Sequence, residues 1–267
     1  MRGRTGEPVP DGSKMGEGLS RRRNLRNRAV ADALARHLPA GRVCDVGTGT
    51  GELARLLRER GYAVEAVDID PSRCQFPDLH VQQCDVMAGL PFGDEAFDAL
   101  VATELVEHME DPYKAAREFN RVLKPDGLLV LTTPNYGHIE SRIGYTFSGC
   151  LPHPLPCRLE PPRSGKAHAH IGPMSMMRLK YLLANTGFEP VHVTTCIPKR
   201  RAWPLLPAAV AVWLVTHMFW SESRRSRYHI ADQMKVILGG RSLIVVSRKR
   251  LGGLGAERSA DTPARLT

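Results

Sequence analysis

One stretch, Val43-Cys44-Asp45-Val46-Gly47-Thr48-Gly49-Thr50-Gly51-Glu52, limits the folds open to this chain more than any other. A short apolar run enters three glycines at alternate positions, and good helix formers, Leu53-Ala54-Arg55-Leu56-Leu57-Arg58, follow. The pattern predicts a strand, a tight turn and a helix whose amino end points free N–H groups at a ligand. Glycine here removes the Cβ atoms that would hold a ligand off the backbone, and it admits left-handed conformations. A dinucleotide fingerprint, G-x-G-x-x-G, needs its third glycine one position later, where this chain has Glu52. A carboxylate at that point disfavours a diphosphate. Asp68 closes the next apolar run, Ala63-Val64-Glu65-Ala66-Val67, at about the twenty-residue spacing from which an acid holds two ribose hydroxyls. The predicted ligand carries a ribose and no pyrophosphate.

Strand and helix patterns alternate along the rest of the chain. A helix is expected over 24–38, stopped by Pro39-Ala40-Gly41, then a strand over 42–46, a helix over 51–60 and a strand over 63–67. A short piece with Pro71 and Pro77 leads to a strand at 79–83, and a buried strand follows at 97–102. Asp111 and Pro112 predict a helix entry, with Asp as N-cap and Pro at the first helical position. That helix runs to about Leu123 and is stopped by a turn, Lys124-Pro125-Asp126-Gly127, before a strand over 128–133. Ser175 caps a helix with Leu179, Leu182 and Leu183 on one face and Gly187 at its end; strands follow over 191–195 and 242–247. Such alternation implies a parallel sheet with helices on both faces, the α/β class.

With these elements in place, the chain resembles the class I methyltransferases that use S-adenosylmethionine. The resemblance covers roughly 42–247 and rests on the glycine turn, Val67-Asp68-Ile69-Asp70, Cys84-Asp85 before Leu90-Pro91-Phe92, and Arg121-Val122-Leu123-Lys124-Pro125-Asp126-Gly127. It implies a Rossmann-like, seven-stranded, mostly parallel sheet whose last strand runs antiparallel to the rest. It also implies that Gly47, Gly49 and Gly51 floor the cofactor, that Asp45 lies near the methionine amino group, and that Asp68 binds the ribose. Ile69 would pack the adenine face, Asp85 would accept from the adenine amino group, and Leu105 would flank the cofactor. The implied activity is in-line methyl transfer, with O-methylation of a small, lipid-linked or glycan-linked acceptor expected. The rivals are a catalytically silent S-adenosylmethionine-binding module and an NAD-dependent oxidoreductase, the latter disfavoured by Glu52.

Methyl transfer from a sulfonium asks for positioning of a nucleophile and removal of its proton. The candidates are Glu107 and His108, just after the fourth strand, with His168 reaching in from a lid. If the segment from Thr103 to His108 were helical, Glu104, Glu107 and His108 would share a face at i, i+3 and i+4. Two carboxylates and an imidazole so placed suit a divalent metal such as Mg. The segment resembles the Glu-x-x-Glu-His of ubiquinone-pathway and small-RNA methyltransferases, where it holds a metal; a histidine that only packs near the cofactor is the other reading. His170 stands beside His168 as a second lid residue. Thr133-Pro134-Asn135-Tyr136-Gly137-His138 resembles a Pro-Asn segment of bacterial methyltransferases associated with methionine biosynthesis; Asn135 and Tyr136 either touch substrate or close the strand.

The formal net charge of +9 favours anionic partners without choosing among them. Arg21, Arg22, Arg23, Arg26 and Arg28, with Arg248-Lys249-Arg250, read as solvated charge, and no aromatic-rich basic stripe points to nucleic acid. Six cysteines without paired spacing, and a polar start without a signal-peptide pattern, lead us to expect a cytoplasmic protein. Cys150, His153 and Cys157 lack the second ligand pair of a zinc finger. The expected organisation is a disordered leader at 1–20, a methyltransferase domain at 21–250 and a disordered tail at 251–267. A lid insertion at 136–172 and an apolar insertion at 198–240 interrupt the domain. Residues 203–220 in the second insertion hold Trp203, Trp213 and Trp220 in an apolar run with basic flanks. Three roles are open to that run: a helix over the site or a dimer face, a membrane-surface element, or a span that Pro204, Pro207 and His217 make doubtful.

Overall fold

The structure is a computed structural model that describes residues 12–149, 172–221 and 234–250. Its centre is a seven-stranded sheet of order β3-β2-β1-β4-β5-β7-β6. The strands are β1 (Arg42–Val46), β2 (Ala63–Asp68), β3 (Val81–Gln83), β4 (Phe97–Thr103), β5 (Leu123–Pro134), β6 (Phe188–Pro198) and β7 (Gly240–Lys249). The first five pair in parallel, whereas β7 runs antiparallel between β5 and β6, as the resemblance implies.

Each central strand is apolar on both sides, which is why it must be covered twice. On β4, Ala99 and Val101 face one cluster, where α1 (Gly12–Ala35) and α2 (Glu52–Glu59) supply Val30, Leu34, Leu53 and Leu57. The alternate residues Leu100 and Ala102 face the other cluster, where α3 (Pro112–Val122) and α5 (Met176–Asn185) supply Phe119, Leu179 and Leu183. The predicted caps form. The Lys114 N–H donates to the Asp111 side chain, with Pro112 opening α3, and the Arg178 N–H donates to Ser175 at the start of α5.

Two expectations need correction. Helix α1 begins at Gly12, well ahead of the start expected at Asn24. The packed segment from Val30 to Leu34 supplies the costly nucleus, and further turns then add at little cost. Residues 1–11 and the expected tail at 251–267 lie outside the described residues. The expected turn at Lys124-Pro125-Asp126-Gly127 is instead a bulge within a continuous β5. Leu123 pairs with Phe97 and Leu128 with Ala99, so four residues oppose Asp98 alone. Asp126 takes φ 61°, and the Lys124 ammonium lies 2.7 Å from Asp98, tying the bulge down.

Beyond the sheet, α4 (Ile139–Ser148), a 3-10 turn (Arg200–Leu205), α6 (Leu206–Phe219) and α7 (Met234–Ile237) build a satellite layer around Ile139, Ala202, Ala209 and Ile237.

Candidate active site

The carboxyl ends of β1, β2 and β4 converge on the glycine turn. Gly47, Gly49 and Gly51 all take positive φ (71°, 57° and 82°), a conformation that costs other residues strain. The Gly47 and Thr48 N–H groups donate to the Val67 carbonyl, locking the turn against β2. A Cβ at Gly47 would lie 2.9 Å from a Leu105 methyl, and one at Gly51 would meet Cys74 and Leu79 at 2.8 and 2.9 Å. Gly49 faces open space, with an Arg73 nitrogen 4.0 Å away as its nearest neighbour. Gly51 therefore serves packing, and Gly49 leaves its backbone approachable.

Three acids flank this floor. Asp45 is buried, accepts from the Thr48 hydroxyl at 2.7 Å, and leaves Oδ1 without a partner among the described residues. Burial pushes its carboxyl up to about 6, against the opposing effect of the Thr48 hydrogen bond. Asp68 accepts from the Gly49 N–H at 2.7 Å and the Asp70 N–H at 2.9 Å, one on each oxygen. It clamps the turn and keeps a second lone pair on each oxygen for hydroxyl donors. Ile69, next along, is 64% exposed, an apolar side chain presented to open space beside Asp68. Asp85 is exposed and accepts from the Met87 N–H; the Cys84 N–H bonds the Asp68 carbonyl, holding the acid beside the end of β2.

The segment after β4 departs from the expected helix. Glu104 sits at φ 50° and only Val106–His108 forms a single 3-10 turn, so Glu104, Glu107 and His108 do not line up at helical spacing. Among the described residues no group of three His, Cys, Asp or Glu side chains is placed to hold a metal, and the expected metal set is not assembled. The Glu104 N–H is taken by Thr132, and its carboxylate faces Arg26 at 3.9 Å. Glu107 is fully buried, and both its carboxyl oxygens lack a partner among the described residues. Burial and then the Glu104 charge push it up to about 8, so it is mostly protonated at neutral pH. His108 is half-buried at the end of the turn. His168, His170, Cys150, His153 and Cys157 lie outside the described residues.

Asn135 does not point to a substrate. Its amide donates to the Val236 and Gly240 carbonyls and accepts from the Gly137 N–H, which uses it up in closing β5 against β7. Tyr136 is buried nearby, its hydroxyl pushed up to about 12 by burial and then by Glu107 and Glu104.

Sequence reasoning missed the role of α1. Arg23 forms a two-point pair with Glu52, Nε at 2.6 Å and Nη2 at 2.8 Å, so the acid at the start of α2 is already neutralised. Arg26, one turn on, brings its charge to Glu104, and that charge lowers the Asp45 and Glu107 carboxyls. The signal was present: Arg23, Arg26 and Asn27 continue the stripe of Val30, Ala31 and Leu34, so they share the buried face rather than a solvated one.

This sheet order, with its antiparallel seventh strand, and an approachable glycine turn flanked by acids on β1 and β2 define a class I methyltransferase fold. A family model described as a methyltransferase domain matches residues 19–193, and the chain belongs to this family, among the S-adenosylmethionine-dependent methyltransferases. A Mycobacterium tuberculosis protein named as a probable S-adenosylmethionine-dependent methyltransferase is 35% identical over 115 residues, 41% of this chain and 42% of that protein. The ubiquinone biosynthesis O-methyltransferase of Xanthomonas campestris is 35% identical over 109 residues, 37% of this chain and 45% of the enzyme. The chain thus spans less than half the length of the curated relatives it matches. A solved S-adenosylmethionine-dependent methyltransferase of Thermotoga maritima, a possible histamine N-methyltransferase, aligns over 89% of this chain and 96% of its own, with TM-score 0.56 and 17% identity. One from Archaeoglobus fulgidus aligns over 85% and 96%, with TM-score 0.53 and 20% identity; these two bear on the fold alone.

Proposed function

We propose that this chain moves a methyl group from S-adenosylmethionine to an oxygen of a small, lipid-linked or glycan-linked acceptor. The observation that carries the reading is Asp45, a buried acid with an unpartnered oxygen beside an approachable glycine turn. Thr48 and the Ala54 N–H stabilise part of this buried carboxyl, and a cationic amino group would relieve the oxygen left over. The resemblance supplies the other cofactor roles, and their places beside the turn support them: Asp68 for the ribose hydroxyls, Ile69 for the adenine face, Asp85 for the adenine amino group, and Leu105 over Gly47 as a flank. The bound donor supplies a methyl group made electrophilic by a sulfonium. The chain's own work is to hold the acceptor oxygen in line and receive its proton. His108 is the candidate base, because burial and the Glu104 charge push Glu107 toward its protonated form. The relative named for ubiquinone biosynthesis supports oxygen as the accepting atom.

Calorimetry tests the cofactor site: S-adenosylmethionine and its demethylated product should both bind, and Asp45→Asn should weaken both by about tenfold or more. Unchanged affinity rejects the assignment. Incubation of metabolite and lipid extracts with labelled methyl donor tests the reaction; binding without label transfer to any fraction identifies a silent module, and preferential NAD binding an oxidoreductase.

A further inference from the structure

The second insertion has its polarity inside out. Across the 3-10 turn Arg200–Leu205 and α6, Ala202, Ala209 and Thr216, spaced seven apart, are buried against the protein, with Leu205, Val212 and Trp213 partly buried beside them. Ala202 and Ala209 pack with Ile139 of α4 and Ile237 of α7. Thr216 and His217 spend their polar atoms on the Trp213 carbonyl, each at 2.8 Å. The eleven exposed positions between Trp203 and Phe219 are Trp, Pro, Leu, Pro, Ala, Val, Ala, Leu, Val, Met and Phe, without one polar side chain. Trp203 is 72% exposed and Phe219 74%, and on the adjoining α4 Phe147 is 87% exposed. A soluble surface does not carry so continuous an apolar face without an occupant.

We infer that this face, from Trp203 to Phe219 with Phe147 beside it, docks on an anionic lipid surface, with the helix lying in the interface. Charge selects lipid over a second copy of the chain. No Asp or Glu occurs between Pro190 and Ser221, while Arg200 and Arg201 precede the face and Arg224, Arg225 and Arg227 follow it in sequence; Lys199 is already paired with Glu140 at 2.9 Å. Basic residues flanking the run on both sides in sequence suit lipid phosphates. A twofold pairing of such faces would set like charges against each other and would lack the polar rim of a protein interface. Residues 202–219 are long and apolar enough to cross a membrane by length and composition. Yet the line of Ala202, Ala209 and Thr216 holds one side of the element against the protein along its length, so it lies on the surface rather than spanning.

All three tryptophans of the chain, Trp203, Trp213 and Trp220, fall in this element, so native fluorescence reads it without a label or a mutation. With the full chain, vesicles of phosphatidylcholine and phosphatidylglycerol should shift the emission to the blue, and brominated lipid should quench it. The protein should float with those vesicles and much less with phosphatidylcholine alone. Replacing Leu214→Glu and Met218→Glu together should cut flotation by about tenfold or more, with S-adenosylmethionine binding by calorimetry unchanged. Absence of both quenching and flotation overturns the inference, as does flotation indifferent to the double substitution. Self-association by light scattering that the same substitution abolishes, without lipid binding, assigns the face to a second copy. Cofactor binding is read separately, so failure here leaves the methyl-transfer reading standing, and the reverse.

Discussion

The glycine turn and the apolar insertion are opposite solutions to placing polar and apolar groups. At the turn, apolar residues point inward, and backbone and acid groups are paired one by one: Gly47 and Thr48 to Val67, Gly49 and Asp70 to Asp68, Thr48 to Asp45. One Asp45 oxygen is the exception, without a partner among the described residues. In the insertion eleven exposed positions are all apolar, so among the described residues it is a continuous outer face that lacks a partner. Our proposals for the two regions rest accordingly on different observations, a single unsatisfied atom in one and a continuous surface in the other.

The largest effect should separate the two faces of α6. Ala209→Glu puts an unpaired charge into a site of zero exposure and should cost about 3 kcal/mol or more, while Leu214→Glu should change stability by less than about 0.5 kcal/mol. Thermal melts of the two variants would break the comparison if they moved together.

The next effect belongs to Glu107. At low pH the folded and unfolded chains both hold its proton. As pH rises from about 4.5 to about 8 the unfolded chain releases it and the folded chain keeps it. Stability should therefore fall across that window by an amount on the order of a few kcal/mol, and Glu107→Gln should flatten the profile of Tm against pH. A profile with the same slope in the variant would show that the buried carboxyl is not its source.

A smaller effect should appear in cofactor affinity. If the ammonium of S-adenosylmethionine pairs with ionised Asp45, whose carboxyl titrates at about 6, affinity should rise about tenfold from pH 5 to pH 7. Calorimetry at the two pH values with Asp45→Asn as reference isolates this acid. The smallest change is expected for Arg23→Ala, which breaks a half-exposed pair with Glu52 and should cost about 1 kcal/mol or less. A larger loss would mean that α1 holds the turn more tightly than one ion pair explains.

What the sequence revealed tracks how local each interaction is. The turn, the Asp111 and Ser175 caps and the antiparallel last strand were legible, the turn from its glycine spacing, the caps because their partners lie three residues on, and the last strand through the family resemblance. The bulge at Lys124 was not, since it exists only against the register of β4. Nor was Arg26, whose charge meets Glu104 from 78 residues away, though its place on the apolar stripe of α1 was readable. The Glu104–His108 segment failed differently: helical spacing was assumed, and Glu104 breaks it by adopting φ 50°.

Strand β7 has a consequence for the order in which the chain can be assembled. It is last in sequence yet lies between β5 and β6, and β6 has no other neighbour in the sheet. During synthesis β3, β2, β1 and β4 have all their sheet neighbours before β6 emerges, whereas one edge of β5 and the whole of β6 must wait until Gly240–Lys249 has left the ribosome. Through that interval α6 has already been made and the edge that anchors its surroundings has not. A chain halted before Gly240 would thus present its apolar helix with β6 unpaired and the β5 edge open, an aggregation hazard that completion of a single strand removes.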